Sequence, residues 1–106
     1  MIEYVYFLDD DTTLHPDLFS QVKDLNHDFI HFNQVTPDGK PRIGGLVKVN
    51  HIDTGSVLAK LNLISDIRWK TDLYNADGYF WEAAFARAKS PLYINKPLSI
   101  YNSLNQ

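Results

Sequence analysis

The chain has 106 residues, 44% of them hydrophobic and 13% aromatic, which suffices for one packed core, is short for two domains, and excludes a disordered chain. A net charge of −3 with scattered Lys and Arg excludes a general nucleic-acid surface, and the lack of cysteine excludes disulfides and thiolate metal sites. No apolar run has the length of a membrane span and the first residues lack a signal-peptide pattern, so a soluble, cytoplasmic protein is expected.

The first element is an apolar run from Tyr4 to Leu8 that stops on Asp9, Asp10 and Asp11; it reads as a strand covered on both faces. Pro16 and Asp17 then favour a helix start, and Leu18, Phe19, Val22 and Leu25 recur at helical spacing, predicting a helix over residues 16 to 25. Asp28 to Val35 reads as a strand, and Thr36-Pro37-Asp38-Gly39 as a turn that sends the chain back in a hairpin or long loop. After Gly44-Gly45, the alternation of Leu46 to Asn50 predicts a half-exposed strand. Residues 53 to 56 form a polar turn, with Ser56 as N-cap of a second helix carrying Val57, Leu58, Leu61 and Ile64. A loop from Ser65 to Asn75 precedes a third helix opened by Asp77-Gly78, with Phe80, Trp81, Ala84, Phe85 and Ala88 on one face, ending near Ser90-Pro91. The tail, Leu92 to Ile94 and Leu98 to Tyr101, gives one or two short strands.

Three adjacent carboxylates repel one another and cannot be buried cheaply without a positive partner. Their oxygens suit Mg²⁺ or Mn²⁺, and Asp9 and Asp11, two apart on an extended backbone, point the same way while Asp10 faces elsewhere. The competing reading is a solvated turn. Asp77 read alone is a helix N-cap, His51 read alone is a surface histidine, and Glu82 a solvated helix residue. His27 and His31 lie in a predicted strand and turn rather than on one helix face, which discounts a zinc pair. Trp69, Tyr79 and Trp81 are either core or platforms for a sugar ring.

Taken in order, these features resemble the second half of a family 2 glycosyltransferase with the GT-A fold. Phe7-Leu8-Asp9-Asp10-Asp11 looks like the family's metal-binding Asp-x-Asp motif and Leu14-His15-Pro16-Asp17-Leu18 like its continuation. Ile52-Asp53-Thr54-Gly55-Ser56-Val57-Leu58 resembles the segment lining the donor and acceptor cleft, and Pro97-Leu98-Ser99-Ile100-Tyr101 the closing strand. Ala76-Asp77-Gly78-Tyr79-Phe80-Trp81-Glu82 resembles the acidic motif that holds the catalytic base, although Ala76 replaces the acidic residue often found there.

The resemblance implies a GT-A-like α/β partial domain, a mixed sheet with about three helices. It implies one domain over residues 1–106, without the upstream half that holds the nucleotide base in this family. It also implies metal-dependent, inverting transfer from a nucleotide sugar, taken as a UDP-sugar, to a hydroxyl of a saccharide or lipid-linked acceptor. Mn²⁺ or Mg²⁺ would be held by Asp11 directly and by Asp9 through water, Asp10 completing the cofactor-binding motif, and His51 would be the third ligand that some enzymes of this fold employ. Asp77 would be the catalytic base.

Two alternatives remain open. Asp9-Asp10-Asp11-Thr12-Thr13-Leu14 also resembles the nucleophile motif of haloacid-dehalogenase-type phosphatases, with Thr12 where glycine is usual. A non-catalytic truncated remnant would instead associate as a homo-oligomer through apolar surface its missing half would cover.

Overall fold

The structure, a computed structural model, describes residues 4–7, 12–23, 25–48, 51–68 and 76–101. Its organising element is the strand Phe29–Val35, here β3 in a six-stranded mixed sheet. The other strands are β1 (Tyr4–Val5), β2 (Thr13–Leu14), β4 (Pro41–Ile43), β5 (Val57–Lys60) and β6 (Pro91–Ile100). The order is β1-β5-β3-β6-β2. One edge of β3 is taken along its length by β6, in parallel, and the other edge is shared by antiparallel β5 and β4.

Side-chain alternation sorts the core into two layers. Phe29 pairs with Ala59 and His31 with Val57, facing α3 (Ala76–Arg87) and α2 (Leu61–Ile64), where Phe29, Val57, Trp81 and Ala84 are fully buried. Ile30, Phe32, Leu58 and Leu98 face the opposite way and pack on α1 (Leu18–Val22). Because α1 has only five residues, it leaves a groove of about 670 Å³ beside it, lined by Tyr4, Tyr6, Leu14, Leu18 and Val22 among others, with Phe19 74% exposed at its side.

Strand β3, the turn with Gly39 at φ 86° and the hairpin return through β4 form where the sequence places them, and the third helix starts as expected but ends at Arg87, short of Ser90-Pro91. The tail is one strand interrupted near Pro97, where pairing jumps from Ile94 opposite Phe32 to Pro97 opposite Asn33, as expected of a residue without an N–H.

Other elements differ from the sequence expectation. Helix α1 starts two residues late because Pro16 and Asp17 form the preceding turn, and beyond its end Leu25 bonds back only three residues, to the Val22 carbonyl. The Tyr4 hydroxyl takes the carbonyls of that exit, lying 2.6 Å from His27 O and 3.2 Å from Leu25 O. Val57 to Lys60 is strand rather than helix, since its apolar residues are drawn between β1 and β3 and sheet pairing overrides the helical spacing. Residues 46–48 are not strand; Val47 enters the α3-side core from a loop. Strand β1 is a half-buried edge, not a strand covered on both faces. Most of the loop expected from Ser65 to Asn75, including Trp69, and the residues Leu8 to Asp11 lie outside the described residues. Among the described residues no helix is long and apolar enough to cross a membrane.

His31 is buried on β3, stacked on Tyr93 at 5.0 Å between ring centroids, with Nδ1 lacking a hydrogen-bond partner among the described residues. Burial lowers its pKa to about 4. The neutral ring is thus favoured in the fold, so the unfolded chain binds the extra proton between pH 6.5 and 4, and stability falls as pH drops through that window. The expected loss is on the order of 2–3 kcal/mol in urea unfolding, and His31→Phe should lack it. A parallel pH slope in both proteins would refute the assignment. Phe29→Ala should cost about 3–5 kcal/mol in the same assay, whereas Phe19→Ala should change stability by no more than about 0.5 kcal/mol.

Candidate active site

At the end of β3, where the chain leaves the apolar core, Gln34 is fully buried. A buried amide must be paired at both ends, and this one is. Its Oε1 accepts from Arg42 Nη1 at 2.5 Å and its Nε2 donates to Asp53 Oδ2 at 3.2 Å. Asp53 caps the 3₁₀ turn Thr54–Ser56, accepting from the Gly55 N–H at 2.9 Å, and its other oxygen lies 3.6 Å from Arg42 Nη1. The turn is closed from below by Ser56, whose hydroxyl donates to the Asp53 carbonyl at 2.8 Å. Asp53, not Ser56, is therefore the capping residue, and it caps this turn rather than a second helix.

Gly55 is the meeting point. Its carbonyl accepts from the Tyr6 hydroxyl at 2.9 Å, and a Cβ built on it would lie 3.5 Å from the Thr12 methyl and 2.7 Å from Gln34 Nε2. Tyr6 and Thr12 flank the carboxylate segment in sequence, so both its approaches bear on the Asp53 turn. The Thr12 hydroxyl is buried without a hydrogen-bond partner among the described residues. The same turn touches α3: Trp81 Nε1 donates to Thr54 Oγ1 at 3.3 Å, one helical turn beyond Asp77.

Asp77 stands in the first turn of α3, half-buried, its carboxylate accepting from the Gly78 N–H at 2.9 Å. Burial pushes its carboxyl above the ordinary carboxylate range, and the negative charge of Asp53 adds to this. The Gly78 N–H and the Arg42 charge oppose it without cancelling it. A helix start alone would favour the ionised form; here desolvation and the second carboxylate outweigh it.

The expected metal ligands Asp9 and Asp11, with Asp10, lie outside the described residues. His51 is exposed in a turn closed by its N–H to the Lys48 carbonyl, two residues before Asp53. Among the described residues no three His, Asp or Glu side chains gather as a metal site. Trp81 is fully buried core and offers no face to a sugar, whereas Tyr79 is 38% exposed. Glu82 is exposed on α3. His27 and His31 are not a pair, since His27 Nδ1 lies 2.9 Å from the Ser90 carbonyl while His31 is enclosed by aromatic rings. The sequence reading missed Gln34 and Arg42. The amide pair Asn33-Gln34 at the end of a strand that begins apolar, followed eight residues after Gln34 by an arginine on the hairpin return, was the available signal.

Because the ionised form of Asp77 is penalised in the fold, Asp77→Asn should raise the thermal midpoint at pH 7, the amide keeping the bond from Gly78. The gain should vanish below about pH 4, where Asp77 is protonated folded and unfolded alike. A lower midpoint at pH 7 would instead mark Asp77 as a stabilising helix cap. Gly55→Ala should break the Gln34–Asp53 contact and cost about 1–3 kcal/mol.

A scan against protein-family models, a search of curated proteins and a search of solved structures each find no match to this chain, so a functional reading stands on these residues and their surroundings.

Proposed function

We propose that this chain is the metal- and acceptor-binding half of a GT-A-like, family 2 type glycosyltransferase, which transfers a sugar from a UDP-sugar to an acceptor hydroxyl with inversion. The supporting observation is convergence. Three segments far apart in sequence, the flanks of the Asp9–Asp11 motif, the Asp53–Ser56 turn and the start of α3, meet around Gly55 and Thr54.

Asp77 is the proton acceptor. Its raised basicity brings it closer to the operating pH while it remains able to ionise, the condition that favours a general base. It takes the proton from the acceptor hydroxyl as that oxygen bonds to the anomeric carbon, and the bond from that carbon to the diphosphate oxygen breaks on the opposite side. Asp53, fastened by Gly55, Gln34 and Arg42, keeps the turn beside it in one geometry.

The donor set fits a hard divalent cation: three consecutive carboxylates, followed by the Thr12 hydroxyl, buried without a hydrogen-bond partner among the described residues. Asp9 and Asp11, with His51, would hold Mn²⁺ or Mg²⁺, which when bound supplies Lewis-acid stabilisation of the charge gathered by the leaving diphosphate.

Calorimetric titration with UDP, with and without Mn²⁺, tests this reading. Heat that requires the metal is expected in the wild type and in Asp77→Asn, and none in Asp11→Ala. With donor and acceptor supplied, Asp77→Asn should lower transfer by about 10²–10⁴ while leaving UDP affinity unchanged. UDP binding that ignores the metal and survives Asp11→Ala would reject it.

A further inference from the structure

The guanidinium of Arg42 is fixed on one side only. Its plane lies over the Tyr101 ring, 3.7 Å from Cζ to the centroid, and the ring is itself placed by the Tyr101 N–H donating to the Val35 carbonyl at 2.8 Å. Its Nη1 serves both Gln34 and Asp53. Among the described residues Nε and Nη2 have no hydrogen-bond or ion-pair partner. Those two nitrogens form one of the parallel forks by which arginine takes a carboxylate or phosphate with two hydrogen bonds. A stacked arginine anchored to a fully buried amide has lost most of its rotamer freedom, so a ligand would not have to order it.

The side chain is 31% exposed and lines an open pocket of about 490 Å³ between the β3–β4 hairpin and the end of β6, together with Thr36, Pro37, Asp38, Lys40 and Tyr101. Two cations face one carboxylate there, and Lys40 lies 3.6 Å from Asp38. Neither Asp53 nor Asp77 lines the pocket. An anion held on the Arg42 fork would therefore sit on the far side of the guanidinium from the carboxylate that Nη1 already faces.

We infer that the pocket under the β3–β4 hairpin is an oxyanion subsite in which Arg42, stacked on Tyr101 and tied to Gln34, takes a phosphate or carboxylate group of a substrate on its Nε–Nη2 fork. The subsite stands whether or not the chain transfers sugar, and it requires no metal. Within the proposed reaction the anionic group belongs either to the donor diphosphate or to an acidic acceptor.

The test is titration of the ¹⁵N-labelled chain with inorganic phosphate at low salt, without metal, followed by amide shifts. Saturable shifts confined to residues 36–42 and 101 are expected. Arg42→Gln should weaken binding about tenfold or more, and Lys40→Ala only slightly, since Lys40 is already offset by Asp38. Arg42→Lys keeps the charge but not the fork and should weaken binding several-fold. It also decides the matter should Arg42→Gln fail to fold. Shifts spread over the surface, or equal affinity in wild type and Arg42→Lys, would overturn the inference. If UDP with Mn²⁺ displaces the phosphate, the group belongs to the donor; if both bind together, it belongs to the acceptor. Failure of UDP to bind at all would reject the transfer reading and leave the phosphate result standing.

Discussion

Burial of β3 is the constraint on which the rest depends. From Phe29 to Phe32 every residue is enclosed, with one layer of side chains beneath α3 and the other against α1. A strand covered on both faces and paired along both edges satisfies its backbone only through its neighbours, so the positions of β4, β5 and β6 follow from it. Its entry is fastened separately. The Asp28 carboxylate accepts from the Lys89 N–H at 2.8 Å, the Ser90 N–H at 3.0 Å and the Ser90 hydroxyl at 3.2 Å. Burial pushes that carboxyl up, but the three bonds outweigh it and hold it below the ordinary range.

The opposite end of β3 is where the apolar rule gives way. Gln34 continues the buried run with an amide, and the amide recruits an arginine and an aspartate that would otherwise be solvated. Opposite charges held near a half-buried Asp77 act on it in both directions: Asp53 raises its affinity for a proton and Arg42 lowers it. The polar cluster thus joins a rigid scaffold to a carboxyl whose ionisation is costly, an arrangement common where proton transfer is needed.

Much of this was legible in the sequence. Phe29 to Val35 showed itself by Phe29, Ile30, Phe32 and Val35, the hairpin by Pro37 and Gly39, and α3 by the spacing of Phe80, Trp81 and Ala84. Val57 to Lys60 did not, because Val57, Leu58, Leu61 and Ile64 satisfy a helical spacing while the first four residues satisfy a strand, and only the vacant edge of β3 decides between them. Thr13–Leu14 carries no pattern of its own and becomes strand because β6 offers an edge. Within the site, Asp77 and the 53–56 turn could be named from local signals. The Gln34–Arg42–Asp53 linkage could not, since it joins positions separated by 8 and 19 residues across a hairpin and a loop.

The parallel pairing of β3 with β6 has a bearing on the order in which the chain assembles. It unites segments 62 residues apart, and the Asp53 turn and Asp77 both lie on the stretch of chain between them. A loop of that length must close before the ladder returns any favourable energy, which places the step late and makes folding slow for a chain of this size. Arg42 stacks on Tyr101, the residue just past the end of β6, so the cluster around it is among the last parts to become native. A chain caught before that closure would have its helices and hairpin and yet no working site.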